Sequence, residues 1–229
     1  MDQLTTFLNK KNSDLELSYL QIRKAVGVLG IILPIIIVAG TFIFGKCKTI
    51  EPSISDYYYT IMGNVLVGIL CGVSLFLYSY KGIDNWDRVA SNLACVFALG
   101  IAFFPTNYDH CSHCIRCKII SRDNNDLRSI IHFGSAALFF IVLACMSLFL
   151  FTRTKNKGQM TRQKRKRNLV YRICGIIMLL AIGTIALLKV TSLGTLIVAY
   201  NPVFWLETIA LWAFGSSWLI KGEFLLKDD

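Results

Sequence analysis

Hydrophobic residues gather along this chain in six long stretches, at about 26–44, 60–80, 89–104, 130–151, 169–188 and 203–220, separated by polar segments. A helix rises about 1.5 Å per residue, so roughly 20 apolar residues cover the ~30 Å hydrocarbon core of a bilayer. The pattern predicts an all-α fold, a polytopic membrane bundle of six transmembrane helices within 26–221. Residues 1–25 form a polar N-terminal segment and 222–229 a polar tail. Ser13 and Glu16 have capping-box spacing, which predicts a separate short interfacial helix carrying Leu15, Tyr19, Leu20 and Arg23. Asn201-Pro202 marks the start of the last span, because proline suits the first helical position.

Composition sharpens this picture. Hydrophobic residues make up 55% of the 229 and charged residues 17%, against roughly 25% charged in soluble domains, so a water-soluble globule is excluded. The net charge of +10 would suggest nucleic acid in a soluble protein, but here the cations sit between apolar stretches. Sixteen Lys and Arg fall on the side of the two termini and seven on the other, with Arg172 inside the fifth span. The positive-inside rule then predicts both termini in the cytoplasm. The run Arg162 to Arg167 can attract anionic lipid at about 1 kcal/mol per charge, although topology anchoring explains it more simply. Membrane lipid is the expected partner, and nucleic acid is not expected. Glycine-rich phosphate loops, zinc-protease helices and nucleophile elbows are missing from the sequence, and no cofactor is implied.

Small residues predict where helices meet. Ala90, Ala94, Ala98 and Ala102 form a ladder at i+4 in the third span, and the second carries Gly68-x-x-x-Gly72. Lipid gives helices no hydrophobic reason to associate, so close van der Waals contact must supply it.

Polar residues inside the spans are the candidate chemistry. Asp56, Thr60, Asn64, Val67, Cys71, Ser74 and Tyr78 recur every three or four residues, predicting one inward helical face. Glu207 lies about one turn inside the sixth span and His132 a few residues inside the fourth. A charge within the bilayer costs about 2.5–3.5 kcal/mol on insertion scales, so it normally faces the bundle and finds a partner. Asp56, His132 and Glu207 are thus expected at one depth, near the outer leaflet. Ser55, Tyr59, Asn64, Lys189 and Trp205 are candidate binding residues around them, with Lys189 placed to neutralise Glu207.

Cys71, Cys95, Cys145 and Cys174 fall inside spans, where free cysteine behaves as a small apolar residue. Cys47, Cys111, Cys114 and Cys117 map to the outer side, so disulfides involving Cys47 are expected. A zinc site from Cys111, His113, Cys114 and Cys117 is the alternative.

Ser53-Ile54-Ser55-Asp56-Tyr57-Tyr58-Tyr59-Thr60, Tyr80-Lys81-Gly82-x-Asp84, Phe104-Pro105-Thr106 and Phe204-Trp205-Leu206-Glu207 resemble an uncharacterised family of bacterial six-helix membrane proteins. More distantly, Pro52-x-Ile54-Ser55-Asp56, His132 and Glu207 resemble the DRAM-type membrane proteins and their relatives in GPI-anchor lipid remodelling. That resemblance implies six helices and a lipid-related role for Asp56, His132 and Glu207.

These residues lead to an outer-leaflet pocket that binds or modifies a lipid or other amphiphile. Chemistry there would be acyl transfer or hydrolysis, with His132 as base, Asp56 orienting it, Glu207 as acid or second orienter, and Ser55 or water as nucleophile. Two other readings stand beside it. One is a non-catalytic scaffold or regulator in which the same groups form a structural polar network, and the other is a proton- or ion-coupled transporter.

Overall fold

A computed structural model describes residues 2–82, 84–106, 126–153, 161–191 and 197–224, with side chains of the first helix described from Tyr19 onward. The long helices are α1 (Asp2–Phe44), α2 (Gly63–Ser79), α3 (Asn85–Phe103), α4 (Asp126–Cys145), α5 (Arg162–Val190) and α6 (Pro202–Lys221). No strand occurs among the described residues. Five of the helices are long and apolar enough to cross a membrane, so the chain has the makings of a multi-pass integral membrane protein. The sixth apolar element, α2, is shorter than the expected 60–80 span. Its 17 residues measure about 25 Å, because the chain from Ser55 to Tyr59 coils into a 3-10 turn before α2 can start.

Two other expectations change, and a third holds. No separate helix begins near Ser13, because α1 runs unbroken from Asp2 through Pro34 to Phe44. The basic run 162–167 lies before the apolar stretch at 169–188 but is helical, the first turns of α5, started by Thr161, whose side chain accepts the Lys164 N–H. The last helix begins as expected at Asn201-Pro202, with Asn201 in the left-handed region at φ 49°, which asparagine tolerates better than most residues.

Each helix packs on its neighbours in chain order, and α6 returns to α1, so the six close into a ring. The alanine ladder is a packing seam: Ala94, Ala98 and Ala102 are fully buried. The Gly68/Gly72 pair is not, since a β-carbon at Gly68 would meet nothing within 4 Å. The close glycine contact lies elsewhere, between α1 and α6. A β-carbon on Gly27 would sit 2.8 Å from the Gly215 carbonyl oxygen, and one on Gly215 would sit 2.6 Å from that of Gly27. Large apolar side chains such as Leu75, Val96 and Leu180 point outward and are more than 60% exposed, as a lipid-facing surface requires.

Candidate functional site

The segment leading from α1 to α2 is pinned across the start of α6 by three hydrogen bonds. Asn201 Nδ2 donates to the Ile50 carbonyl at 3.1 Å, the Phe204 N–H to the Pro52 carbonyl at 3.0 Å, and the Ile54 N–H to Glu207 Oε2 at 2.6 Å. Acceptors and donors at 201, 204 and 207 share one face of α6, and they meet alternate residues 50, 52 and 54 of the segment. Tyr57, fully buried against Phe204, completes the clamp by accepting the Glu51 N–H at 3.3 Å. Burial pushes its phenol up to about 12.

Two cavities lie beneath this clamp. The smaller, about 60 Å³, runs down the ring interior between Leu33, Leu66, Ile101, His132, Phe139 and Glu207. It has room for very few waters. The larger, about 420 Å³, lies between α4, α5 and α6 and is bounded by Asp56, Thr106, Phe140, Ile185, Lys189 and Glu207. Ser55, Ala136, Phe140 and Glu207 border both, so the two spaces share a wall.

Of the three principal candidates, Glu207 faces both cavities, Asp56 the larger and His132 the smaller. No hydrogen bond joins any two of them among the described residues. Glu207 spends Oε2 on the Ile54 N–H and so satisfies a backbone donor. His132, 5% exposed, has its Nδ1 2.8 Å from the Phe104 carbonyl at the end of α3. A carbonyl only accepts, so Nδ1 carries the proton and Nε2 is the acceptor of the neutral ring. The orienting group for His132 is therefore the Phe104 carbonyl, not Asp56 as the sequence suggested.

Asp56 sits in the 3-10 turn, outside the spans. Burial holds its carboxyl above the ordinary aspartate range, and this is only partly offset by hydrogen bonding to Ser53 and by the charge of Lys189. Lys189, in the last turn of α5, places Nζ 3.0 Å from the Phe133 ring centroid. It makes no ion pair within 4.0 Å to Asp56 or Glu207, so cation and carboxylates stand apart around the larger space. Thr106, 4% exposed, borders the same space, and its Oγ1 has no hydrogen-bond partner. Sequence reasoning missed Thr106, although it lies in the Phe104-Pro105-Thr106 segment.

Among the candidate binding residues, Ser55 borders both cavities and its hydroxyl is 2.9 Å from that of Ser53. Tyr59 borders neither and donates its hydroxyl to the Thr106 carbonyl. Asn64 is exposed on α2 and Trp205 is 47% exposed on α6, stacked edge-on against Phe204, so neither borders a cavity. The single inward stripe from Asp56 to Tyr78 does not form. Asp56 and Thr60 precede the helix, and Tyr78 is 68% exposed.

Cys71, Cys95, Cys145 and Cys174 are free thiols. Cys47 is disulfide-bonded. Cys111, His113, Cys114 and Cys117 lie outside the described residues, so neither the proposed pairing nor the zinc alternative can be read there. Among the described residues no group of three His, Cys, Asp or Glu could hold a metal ion. Comparison with family models, with curated proteins and with solved structures found no match.

Proposed function

We propose that this chain is a six-helix inner-membrane protein whose larger cavity binds the polar head of a lipid or similar amphiphile. The cavity itself carries this reading. Its volume of about 420 Å³ lies in the usual range of small-molecule sites. Its walls are mostly apolar, from Phe133, Ala136, Phe140, Ile182 and Ile185. Its polar side chains, Ser53, Ser55, Asp56, Thr106, Lys189 and Glu207, all come from chain segments at the clamp end of the ring. An apolar body and a head offering both acceptor and donor atoms would match that distribution. In this reading α2 crosses with the other five helices, both termini are cytoplasmic, and the clamp faces outward, in accord with the distribution of Lys and Arg. Cys47 then lies on the oxidising side, where bridging to Cys111, Cys114 or Cys117 is favoured.

A binding role is better supported than catalysis, because Glu207 is committed to the Ile54 N–H and His132 to a backbone carbonyl. The DRAM-like resemblance is a further reason to expect a lipid ligand. The test is lipid retention by the purified full chain, read by native mass spectrometry. Asp56→Asn and Lys189→Gln should keep the unfolding midpoint and lose the retained amphiphile. Equal retention by both variants would refute the reading.

A second reading rests on the clamp. The bonds from α6 to residues 50, 52 and 54 are what a scaffold would use to close one end of the ring. Under it, Asp56→Asn changes nothing but stability.

A further inference from the structure

Three charged side chains border the larger cavity, each from a different part of the chain. Asp56 comes from the 3-10 turn, Lys189 from the last turn of α5 and Glu207 from α6. Each lies within electrostatic reach of the other two. Yet the lysine forms no ion pair within 4.0 Å to either carboxylate. Its ammonium stands 3.0 Å from the centre of the Phe133 ring, a contact that orients a cation but brings no negative charge to it. With two carboxylates, one cation and the cation held off against a ring, the space has a place for an ammonium beside the acids and a place for an anion beside the lysine. Opposite charges set apart around a cavity can be satisfied together by a molecule that carries both.

The space is not sealed. Phe133 is 43% exposed and Lys189 is exposed, and both border it. Alkyl chains of a bound molecule therefore have a way out along the apolar wall of Ala136, Ala137, Ile182 and Ile185.

Resting on the reading of this cavity as a lipid site, we infer that the headgroup it takes is a zwitterion with a primary ammonium and a phosphate, as in an ethanolamine phospholipid, the ammonium between Asp56 and Glu207 and the phosphate against Lys189. A primary ammonium has three N–H donors for carboxylate and hydroxyl oxygens, and Ser53 and Ser55 border the same space. A quaternary choline has no such donor and is recognised by aromatic cages. The aromatic side chains bordering this cavity are Phe133, whose face is taken by Lys189, and Phe140. A purely anionic head would meet Lys189 but leave the two carboxylates without a cation. Burial holds the Asp56 carboxyl above the ordinary aspartate range, and an ammonium beside it favours the charged form that binds the ammonium.

The test offers the full chain in non-ionic detergent an equimolar mixture of dioleoyl phosphatidylethanolamine, phosphatidylcholine and phosphatidylglycerol, and reads retained lipid by native mass spectrometry. The three share their chains and their phosphate and differ only in the group beyond it. Phosphatidylethanolamine is expected to be retained about tenfold more than either of the others, the difference made by charge-assisted hydrogen bonds. Asp56→Asn should bring it down to their level. Lys189→Gln should lower all three together, and Lys189→Arg should keep them. O-Phosphoethanolamine, the head without chains, should not displace the lipid, and displacement at equal concentration would assign the site to the free head. A preference for choline or glycerol, or equal retention of the three lipids that Asp56→Asn and Lys189→Gln both reduce, would overturn the headgroup and leave the cavity as a lipid site. Retention of no lipid, or retention that neither variant changes, would overturn both.

Discussion

The clamp end, with Asp56, His132 and Glu207, and the opposite end, with Arg23, Lys164, Arg167 and Lys221, treat charge and space differently. At the clamp end Glu207 is tied to the Ile54 N–H and His132 to the Phe104 carbonyl, and cavities remain between the polar groups. At the other end the cations crowd together over a floor of four buried aromatics. One end keeps room for a ligand by spreading its polar groups apart. The other is close-packed, its cations laid against buried rings.

The largest test of that contrast compares two aromatic truncations. Trp218→Ala removes a side chain in contact with Tyr80, Phe151 and Phe214, and should cost about 3–5 kcal/mol, the usual range for a packed aromatic. Phe140→Ala merges two spaces that already exist and should cost distinctly less. Both are measurable by unfolding in mixed micelles, and equal losses would mean that the clamp end is as tightly packed as the other.

Next in size is Glu207. Glu207→Ala leaves the Ile54 N–H without its acceptor, an expected loss of about 1–3 kcal/mol for a buried donor left unsatisfied. Glu207→Gln keeps an acceptor oxygen at the same reach and should lose less. Proteolytic nicking of the segment around Ile54 should increase in the same order, alanine more than glutamine.

The two ends should also respond to pH with opposite sign. The Asp56 carboxyl is held above the ordinary range by burial, so its folded form favours the proton. Its contribution is complete below the unfolded aspartate value and is lost as pH rises through the elevated one. Asp84, on the other side, is held below the ordinary range, first by the Asp87 N–H. Its contribution is complete above the unfolded value and is lost as pH falls through the depressed one. Midpoint-against-pH curves should therefore flatten on the alkaline side of the carboxylate range in Asp56→Asn and on the acid side in Asp84→Asn.

How far these features can be read from the sequence depends on the range of the interaction. The apolar runs locate α3 to α6 within about two turns, because span length is set by local hydropathy, and they find the end of α1 but not its start, which extends through polar residues back to Asp2. The alanine ladder is legible for the same reason: it is a repeat along one helix. The Gly27–Gly215 contact is not, since each glycine is ordinary in its own helix and only packing across the ring pairs them. The stripe from Asp56 to Tyr78 misleads because a period near 3.6 assumes continuous helix, and the 3-10 turn at Ser55–Tyr59 breaks the phase. Glu207 was recognisable as a residue needing a partner. Hydrocarbon demands that the need be met but does not choose between side chain and backbone, and here the backbone of Ile54 meets it.

The smallest expected effect separates a cap from an ion pair at a single residue. Asp84 accepts the N–H groups of Trp86 and Asp87 at 3.0 and 3.2 Å, while the Asp87 side chain accepts the Asp84 N–H at 3.3 Å, a reciprocal box that starts α3. The same carboxylate receives Arg153 at 2.5 Å, but both side chains are open to solvent. Solvent and salt screen an exposed pair, whereas the donors at a helix start have no other intrahelical partner. Arg153→Ala should leave the unfolding midpoint unchanged at physiological salt. Asp84→Ala should lower it, and by the same amount in the Arg153→Ala background. A loss in the single arginine variant as large as that in the aspartate variant would show that the bridge, not the cap, holds the start of α3.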